Sequence, residues 1–379
     1  MPDTSLPVEL ILSILEFAYY RNDVVYTVFL SRNPDYRTLA AASLINSSWR
    51  TPAQTLLFNH LNDMVAGRVL QTLSDPSFNP ERRDTLLGYV RILELRLIPD
   101  DRDFSSAHWS STFPAASMCR MADFWFLLEH CPNLYELSLR FLGVLSLGGR
   151  VKLSTRPPNL KALAVMECSS QSPILFELLE LFPSVQFLAI GVEVVACPSS
   201  PPKHKLYELV MSRSLPAATF EWLVANSAGH LRILEMRDPP SPEIRETLRT
   251  LCPRIESLRI MRFNPTALEV IKACTNLKEL VLMNLPEMLQ LSVISDTLEH
   301  LRSVRYDVER IHKLIASLPN LKTFSGFDEP KSHNGLFEDA CKSRGISISV
   351  GLWPNEEPVI PSKLPRGRST SNFRVMNRI

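Results

Sequence analysis

An apolar triplet that recurs at nearly constant spacing constrains the fold of this chain more than any other feature of its sequence. Each copy follows the pattern Leu-x-x-Leu-x-Leu, in which other apolar residues replace some of the leucines. The copies begin at Leu134, Leu160, Val185, Leu206, Leu231, Ile255, Leu277 and Leu301, with a truncated copy at Leu321. Their first members are separated by 26, 25, 21, 25, 24, 22, 24 and 20 residues. Such regular spacing indicates a repeat architecture.

Helical runs precede most of the triplets, so the repeats alternate helix with strand. The clearest runs are Asp123–His130, Ile174–Leu181, Thr219–Ala225, Ile244–Leu251 and Val308–Leu318. This alternation predicts a parallel sheet with helices on its outer face, because parallel strands need a crossover connection. The spacing lies in the range of leucine-rich repeats. We therefore expect an α/β solenoid over residues 62–352, with parallel strands on its concave side and helices on its convex side.

Three details refine this expectation. An earlier triplet begins at Val90, and Pro99–Met118 is expected to be an irregular inserted loop. The segment ISISV at residues 346–350 is expected to be the last, edge strand. Standard leucine-rich repeats carry Asn or Cys three residues after the last leucine, and here Cys168 alone holds that position. The solenoid is therefore expected to be irregular.

The chain begins with an apolar helix, Leu6–Ala18, whose polar positions after Pro7 are Glu9, Ser13 and Glu16. These three residues form one narrow stripe at helical spacing. The remaining positions form two apolar faces, which are Leu6/Leu10/Ile14/Phe17 and Val8/Ile11/Leu15/Ala18. One face can pack on its own domain, and the other needs a second surface.

The same segment lacks the features of a targeting or membrane segment. Asp3 precedes the run and two glutamates lie inside it, which is atypical of a secretory signal. The run is also shorter than the about 20 apolar residues that a membrane span needs. Seven cysteines without CxxC spacing give no disulfide framework. We expect a protein of the cytosol or nucleus that does not bind membranes.

Two more short helices are expected before residue 62. Leu39–Ile45 is Ala-rich and apolar, and Asn46–Ser48 should end it. A third helix is expected to begin with Thr51 as its cap, Pro52 at its first position and Gln54 completing a capping box. Residues 1–61 therefore form a helical module that is interrupted at 21–34.

This module resembles an F-box, and in particular the F-box of the large fungal sets. The resemblance rests on Leu-Pro-x-Glu-Leu at residues 6–10, Ile14-Leu15, Ser48-Trp49-Arg50 and Leu57-Phe58. It implies docking on the Skp-type adaptor of cullin-RING ubiquitin ligases. The implied adaptor-binding residues are Leu6, Pro7, Leu10, Ile14 and Phe17, with Leu44 and Trp49 in support.

One feature departs from the F-box pattern. The family usually joins its first two helices by a short turn, whereas this chain inserts residues 21–34 there. The insertion is either a benign loop or an obstruction of the docking surface. The alternative to an F-box is that Leu6–Phe17 is the first core helix of one larger domain.

No catalytic, metal-binding or cofactor-binding motif is evident. The sequence His130-Cys131-Pro132 could suggest a nucleophile or a metal ligand. However, Cys131, Cys252 and Cys274 each lie three residues before a triplet, where other copies have Phe182, Ala228, Leu298 and Leu318. A position filled by such residues is a buried apolar slot. We therefore expect no cofactor, no metal and no enzymatic activity of the chain itself.

Residues between the leucines are expected to face the concave side, because side chains alternate along a strand. This ribbon comprises Glu94, Arg96, Glu136, Arg140, Ala162, Ala164, Met166, Phe187, Ala189, Glu208, Glu235, Arg237, Arg259, Met261, Glu279, Met283 and Arg305. The apolar stretch 162–189 with a charged rim is typical of a protein-binding patch. The predicted substrate-binding residues are Ala164, Met166, Phe187, Glu235, Arg237, Arg259 and Arg305. Alternatively, a loop covers this stretch and it is core.

Residues 353–379 are rich in Pro, Ser and Arg and are expected to be a disordered basic tail. Its basic residues are Lys363, Arg366, Arg368, Arg374 and Arg378. A sparse basic tail is usually solvated, and a nuclear-import or nucleic-acid contact is the alternative. Ser369, Thr370 and Ser371 are candidate phosphorylation sites. The net charge of +1 gives no reason to expect a nucleic-acid partner.

Together these patterns, with the F-box resemblance, predict a substrate-recognition subunit of a Skp–cullin–F-box ubiquitin ligase. The F-box would bind the Skp-type adaptor and through it a cullin scaffold, and the solenoid would bind a protein substrate for ubiquitination. One alternative is a leucine-rich-repeat interaction scaffold that acts outside a ubiquitin ligase. Another is an enzyme whose site the isolated residues do not reveal.

Overall fold

The protein is described here in a computed structural model, which defines most of the chain. It describes residues 6–20, 33–99, 118–141, 143, 146–147, 157–194, 198, 200–287, 289–290, 293–305, 307–326, 335–350, 365–366 and 370–376. The chain divides into two compact units. Unit 1 comprises Met1–Ser184 together with Lys363–Ile379, and unit 2 comprises Val185–Ser362.

Unit 1 begins with the helices α1 (Val8–Phe17), α2 (Tyr36–Ser43) and α3 (Ser47–Asn59). The prediction of three short helices before residue 62 is confirmed. Helix α3 packs on both α1 and α2. Asp35 caps α2 by accepting a hydrogen bond from the Thr38 amide at 3.1 Å.

The predicted start of α3 was wrong. Asn46 is its N-cap, and its side-chain oxygen accepts from the amides of Ser48 and Trp49 at 2.9 and 3.2 Å. Pro52 therefore lies inside the helix rather than at its first position. Asn46 satisfies two amides that would otherwise lack partners at the helix start, so the helix begins five residues before Pro52.

The end of the chain forms helix α13 (Thr370–Met376), which packs on α1 in unit 1. For these residues the predicted disordered tail was wrong. Phe373 and Met376 are buried in a core cluster with Ile11, Leu15 and Tyr19. The apolar contact with α1 orders a helix whose own sequence is too short to be stable alone. The predicted basic positions Lys363, Arg368 and Arg378 lie outside the described residues.

The strands of unit 1 are β1 (His60–Leu61), β2 (Ile92–Ile98), β3 (Met118–Arg120), β4 (Glu136–Phe141) and β5 (Ala162–Glu167). They pair in parallel in the order β1-β2-β4-β5, and β3 also pairs with β2. The helices between them are α4 (Ala66–Leu73), α5 (Pro80–Leu87) and α6 (Met121–His130), and α7 (Ile174–Leu181) follows β5. The predicted loop at residues 99–118 lies mostly outside the described residues.

Unit 2 repeats the same pattern of strand and helix. Its strands are β6 (Phe187–Ile190), β7 (Glu208–Met211), β8 (Ile233–Met236), β9 (Ser257–Ile260), β10 (Glu279–Asn284), β11 (His300–Arg305), β12 (Thr323–Gly326) and β13 (Ser347–Val350). They pair in parallel in chain order. The helices are α8 (Ala217–Val224), α9 (Arg245–Leu251), α10 (Pro265–Ala273), α11 (Val308–Ser317) and α12 (Gly335–Ser343). Short 3₁₀ turns, Pro242–Ile244 and Cys252–Arg254, flank α9.

The strand register explains the repeat. The second member of each triplet aligns with its neighbours, so Leu188, Leu209, Leu234, Leu258 and Leu280 form one continuous row. All five side chains are buried, with at most 1% of each exposed. Every predicted triplet overlaps a strand, and β13 forms where the edge strand was expected. The alternation of helices with parallel strands is thereby confirmed.

The triplet predicted at Leu301 was out of register. Leu301 aligns with Leu280, and Ser303 with Leu282, so the copy begins at Leu298. The sequence from Leu298 to Tyr306 can be aligned with the triplet pattern in two overlapping ways, as Leu298-Leu301-Ser303 or as Leu301-Val304-Tyr306. Backbone pairing with β10 selects the first of them, and the small Ser303 is fully buried at the third position.

The apolar slot before the triplets is confirmed for the cysteines. Cys131, Cys252 and Cys274 are fully buried, as are Phe182 and Leu318. Leu298 is buried too, but the register of β11 makes it the first member of its triplet rather than the slot residue before it. Burial raises the pKa of the Cys131 thiol to about 12, so it stays protonated at neutral pH. Ala228 is the exception, because it is exposed and the buried residue there is Ser227. The Ser227 hydroxyl accepts a hydrogen bond from the Leu206 amide at 2.9 Å.

No helix in the described part of the chain is long and apolar enough to cross a membrane.

Candidate functional site

The most prominent surface feature is an apolar face on α1 that the described residues of the chain leave uncovered. Leu10 is 52% exposed, Ile14 47% and Phe17 94%. Leu6, just before the helix, is 44% exposed. We call Leu6, Leu10, Ile14 and Phe17 the outer face of α1. An apolar row of this kind on a helix typically marks a contact with another molecule.

The opposite side of α1 is buried. Ile11 and Leu15 are at most 2% exposed and contribute to the core cluster of unit 1. The prediction that one apolar face of α1 packs within the chain is therefore confirmed, and the other face is exposed. Val8 differs from the prediction because it is 49% exposed. The core cluster begins at Ile11, almost one helical turn further along the chain.

The remaining residues of the predicted adaptor-binding set have different environments. Leu44, at the end of α2, is 81% exposed. Pro7 is exposed and immediately precedes α1. Trp49 is half-buried and packs against the core cluster. Ile45 was not predicted, although it follows Leu44 directly and is 59% exposed.

The two ends of the segment inserted after α1 lie side by side. Tyr20 and Pro34 form an antiparallel bridge. Next to it the Asp35 amide donates to the Tyr19 carbonyl at 2.6 Å. Residues 21–32 themselves lie outside the described residues, so their predicted effect on docking is not tested. The bridge holds the end of α1 next to the start of α2.

A polar cluster joins the helical module to the first strands of unit 1. The Tyr36 hydroxyl donates to the His60 carbonyl at 2.8 Å and accepts from the Asn62 amide at 3.0 Å. His60 Nε2 lies 3.0 Å from Glu94 Oε1. Arg96 pairs with Asp63 at 2.7 Å, and its side chain is 5% exposed. Two residues of the predicted ribbon, Glu94 and Arg96, therefore make contacts with other residues of the chain.

In each unit, the side chains that alternate with the buried triplet residues along the strands form what we call the intervening face of that unit. In unit 1 this face includes Ala164 and Met166 of β5, and each of these two residues is half-buried. Ala162 is 2% exposed. Arg140 lies 3.5 Å from Glu167, and both side chains are partly exposed.

In unit 2 the intervening face carries a buried cluster of charges. Arg259 Nη2 lies 3.4 Å from Glu279 Oε1, and Arg259 Nη1 lies 3.9 Å from Glu235 Oε2. Arg237 Nε donates to Glu235 at 2.9 Å. The Ser257 hydroxyl donates to Glu279. The side chains of Arg259, Glu235 and Glu279 are 5%, 7% and 1% exposed.

The charge state of this cluster follows from its contacts. Burial alone lowers the pKa of Arg259, but the attraction of Glu279, Glu235 and Glu208 outweighs it and raises the pKa. Arg259 is therefore a permanent cation between two carboxylates. Such an arrangement fixes the side chains of the face in one geometry, because any displaced charge would lose its partner in a dry environment.

The other predicted substrate-binding residues differ in how exposed they are and in which side of the sheet they occupy. Phe187 is 1% exposed, so it offers no accessible surface. Arg237 remains half-buried. Arg305 was misplaced by the register error, because it shares the side of Leu301 and Ser303 and aligns with Asn284. Arg302 takes the position on the intervening face, opposite Val281.

The part of the chain that the structure describes contains no group of three or more His, Cys, Asp or Glu residues that could hold a metal ion. A scan against models of known protein families found no match, and a search of curated proteins found no similar sequence. The strongest element of the candidate site is the outer face of α1.

Proposed function

We propose that this chain is a substrate-recognition subunit of a Skp–cullin–F-box ubiquitin ligase, and that its N-terminal module is an F-box. The observation that carries the proposal is the outer face of α1. The module buries Ile11 and Leu15 in the core cluster and leaves Leu10, Ile14 and Phe17 largely exposed to solvent. Those exposed residues are the ones that the F-box resemblance assigns to the adaptor interface.

The energetics favour a protein partner for this face. Complete burial of a Leu, Ile or Phe side chain contributes about 1.5–3 kcal/mol. Three of the four residues are about half exposed and Phe17 is almost fully exposed. Covering all four would therefore contribute about 5 kcal/mol before the cost of association. A partner that covers this face gains a large part of its binding free energy there.

The repeats would supply the second half of the function. Their intervening face is proposed to bind a protein substrate, with Ala164 and Met166 as accessible apolar contacts in unit 1. In unit 2 the buried cluster around Arg259 would keep that face rigid. The chain would act by positioning, since holding the substrate beside the ubiquitin-charged enzyme raises its effective concentration.

The test is quantitative binding of the full-length protein to a purified Skp-type adaptor. Leu10→Asp/Ile14→Asp should weaken binding by at least about 100-fold, because two carboxylates would enter an apolar contact. Val8→Asp is the matched control. Val8 is also about half exposed on α1, but lies about 160° around the helix axis from Leu10.

Val8→Asp should change the affinity by no more than about 3-fold, in line with a surface substitution. Unfolding curves of the variants would show whether the module remains folded. Failure of the folded wild-type protein to bind the adaptor would refute the proposal. Equal losses in Val8→Asp and in the double variant would show that the outer face is not the docking surface.

A further inference from the structure

The end of the chain lies against the helix that carries the proposed docking face. Phe373 and Met376 of α13 are 2% and 3% exposed, in the same core cluster as Ile11 and Leu15. The ring of Phe373 meets that of Tyr19 edge-on, with centroids 4.9 Å apart. Helix α1 therefore contacts both α3, which lies near it in sequence, and α13, which lies at the other end of the sequence.

An ion pair fixes the approach to α13. Arg366 Nε and Nη2 lie 3.2 and 3.4 Å from the two carboxylate oxygens of Glu136, at the start of β4. The two side chains are 19% and 13% exposed, so the pair is largely shielded from water. Asn372 donates to the Arg366 carbonyl at 2.7 Å, which ties this residue to the helix. Bidentate pairs of this kind fix orientation as well as distance.

We propose that the C-terminal segment, defined as Pro365, Arg366 and Thr370–Met376, positions α1 and thereby controls the presentation of its outer face. Phe373 and Met376 act as positioning residues from the buried side of the helix. The segment completes a core that the short N-terminal module would otherwise leave open, because small helical modules bury too little apolar surface by themselves. That the outer face binds an adaptor rests on the proposed function. That the C-terminal segment positions α1 does not.

The sequence of α13 supports this assignment. Its apolar residues Phe373 and Met376 are three positions apart and share one side of the helix. Val375 is on another side and is 45% exposed. The helix therefore has a binding side and a free side, as expected of a segment that docks into a groove.

The first test is hydrogen exchange of the full-length protein, followed at the amides of α1. Phe373→Asp should reduce their protection by about 100-fold, because a carboxylate replaces a buried ring. Val375→Asp is the matched control and should change protection by less than about 3-fold. Strands β8 to β10 of unit 2 serve as the internal reference. Unchanged protection of α1 in Phe373→Asp would overturn the proposal.

A charge exchange provides a second test that does not touch the core. Arg366→Glu and Glu136→Arg should each lower the protection of α1 by about 5–10-fold, since each places like charges together. The double variant should recover to within about 2-fold of wild type. A double variant no better than the sum of its parts would overturn the proposed docking. This test decides the question if Phe373→Asp prevents folding of unit 1.

Binding to the Skp-type adaptor links the two proposals while keeping them separable. The affinity of Phe373→Asp should fall in parallel with the protection of α1. If α1 loses its protection while the adaptor affinity stays at the wild-type value, the segment positions α1 but its control of the outer face is overturned. If wild type fails to bind any adaptor, the proposed function fails, and hydrogen exchange still decides whether the segment positions α1.

Discussion

Removal of the Arg259 side chain provides the sharpest test of the charge cluster on the intervening face. Arg259→Met keeps much of the side-chain volume but leaves Glu279 without its cation at 3.4 Å. Glu279 is 1% exposed, so water cannot replace the lost partner. Breaking a buried ion pair in this way costs about 3–5 kcal/mol. We expect a loss of that size in the stability of unit 2.

Neutralising Glu279 at the same time should reverse much of this loss. Glu279→Gln keeps an oxygen that can accept the Ser257 hydroxyl, and Glu235 keeps its contact with Arg237 at 2.9 Å. The variant Arg259→Met/Glu279→Gln should therefore be more stable than Arg259→Met by about 2 kcal/mol, because position 279 no longer carries a buried charge that has lost its cation.

Denaturant unfolding of full-length protein, with hydrogen exchange of β8 to β10 as the local measure, would give these free energies. Arg262→Ala is the control, because Arg262 pairs with Asp238 at 3.3 Å but is 69% exposed. An exposed pair contributes at most about 1 kcal/mol. If Arg259→Met costs no more than Arg262→Ala, or if the double variant is less stable than the single one, the reasoning is refuted.

Two further predictions concern local features of each unit. Asn46→Ala should destabilise unit 1 by about 1 kcal/mol in denaturant unfolding, because Asn46 caps α3. Thr51→Ala should change it by less than about 0.5 kcal/mol, and the reverse order would contradict the observed cap. His204 is fully buried and its Nε2 lies 2.9 Å from the Leu223 carbonyl, and burial lowers its pKa despite that hydrogen bond. The folded state therefore holds His204 neutral, so this contribution to stability is complete above the unfolded pKa of about 6.5 and is lost as pH falls below it. His204→Gln should flatten that pH dependence between pH 7 and 5, and an unchanged slope would show that another group is responsible.

Several features of the fold were predictable because they depend on residues close in sequence. Each repeat must present an apolar side chain at the same point of a parallel strand, so the leucine spacing marks the strands directly. The two faces of α1 follow from helical periodicity in the same way. The buried state of Cys131 and Cys274 was predictable because equivalent positions in other repeats carry large apolar residues.

Where the sequence allowed two local solutions, distant contacts decided between them. Leu298 and Leu301 can each begin a triplet, and only pairing with β10 places Leu301 beside Leu280. Likewise the alternation of β9 predicts which side Arg259 takes. It does not predict burial, because that depends on glutamates supplied by β8 and β10.

Periodic burial is a local constraint, so the repeat, the parallel strands and the exposed apolar face of α1 are all predictable from the spacing of apolar residues. The helix formed by Thr370–Met376 depends instead on a contact that is distant in sequence. A helix of seven residues is not stable in isolation, and the residues around it are polar and basic. Its order comes from Phe373 and Met376 packing against α1, more than 350 positions earlier in the chain. The local sequence does not predict that contact, because the helix is stabilised by burying its apolar residues against α1 and not by interactions within the helix.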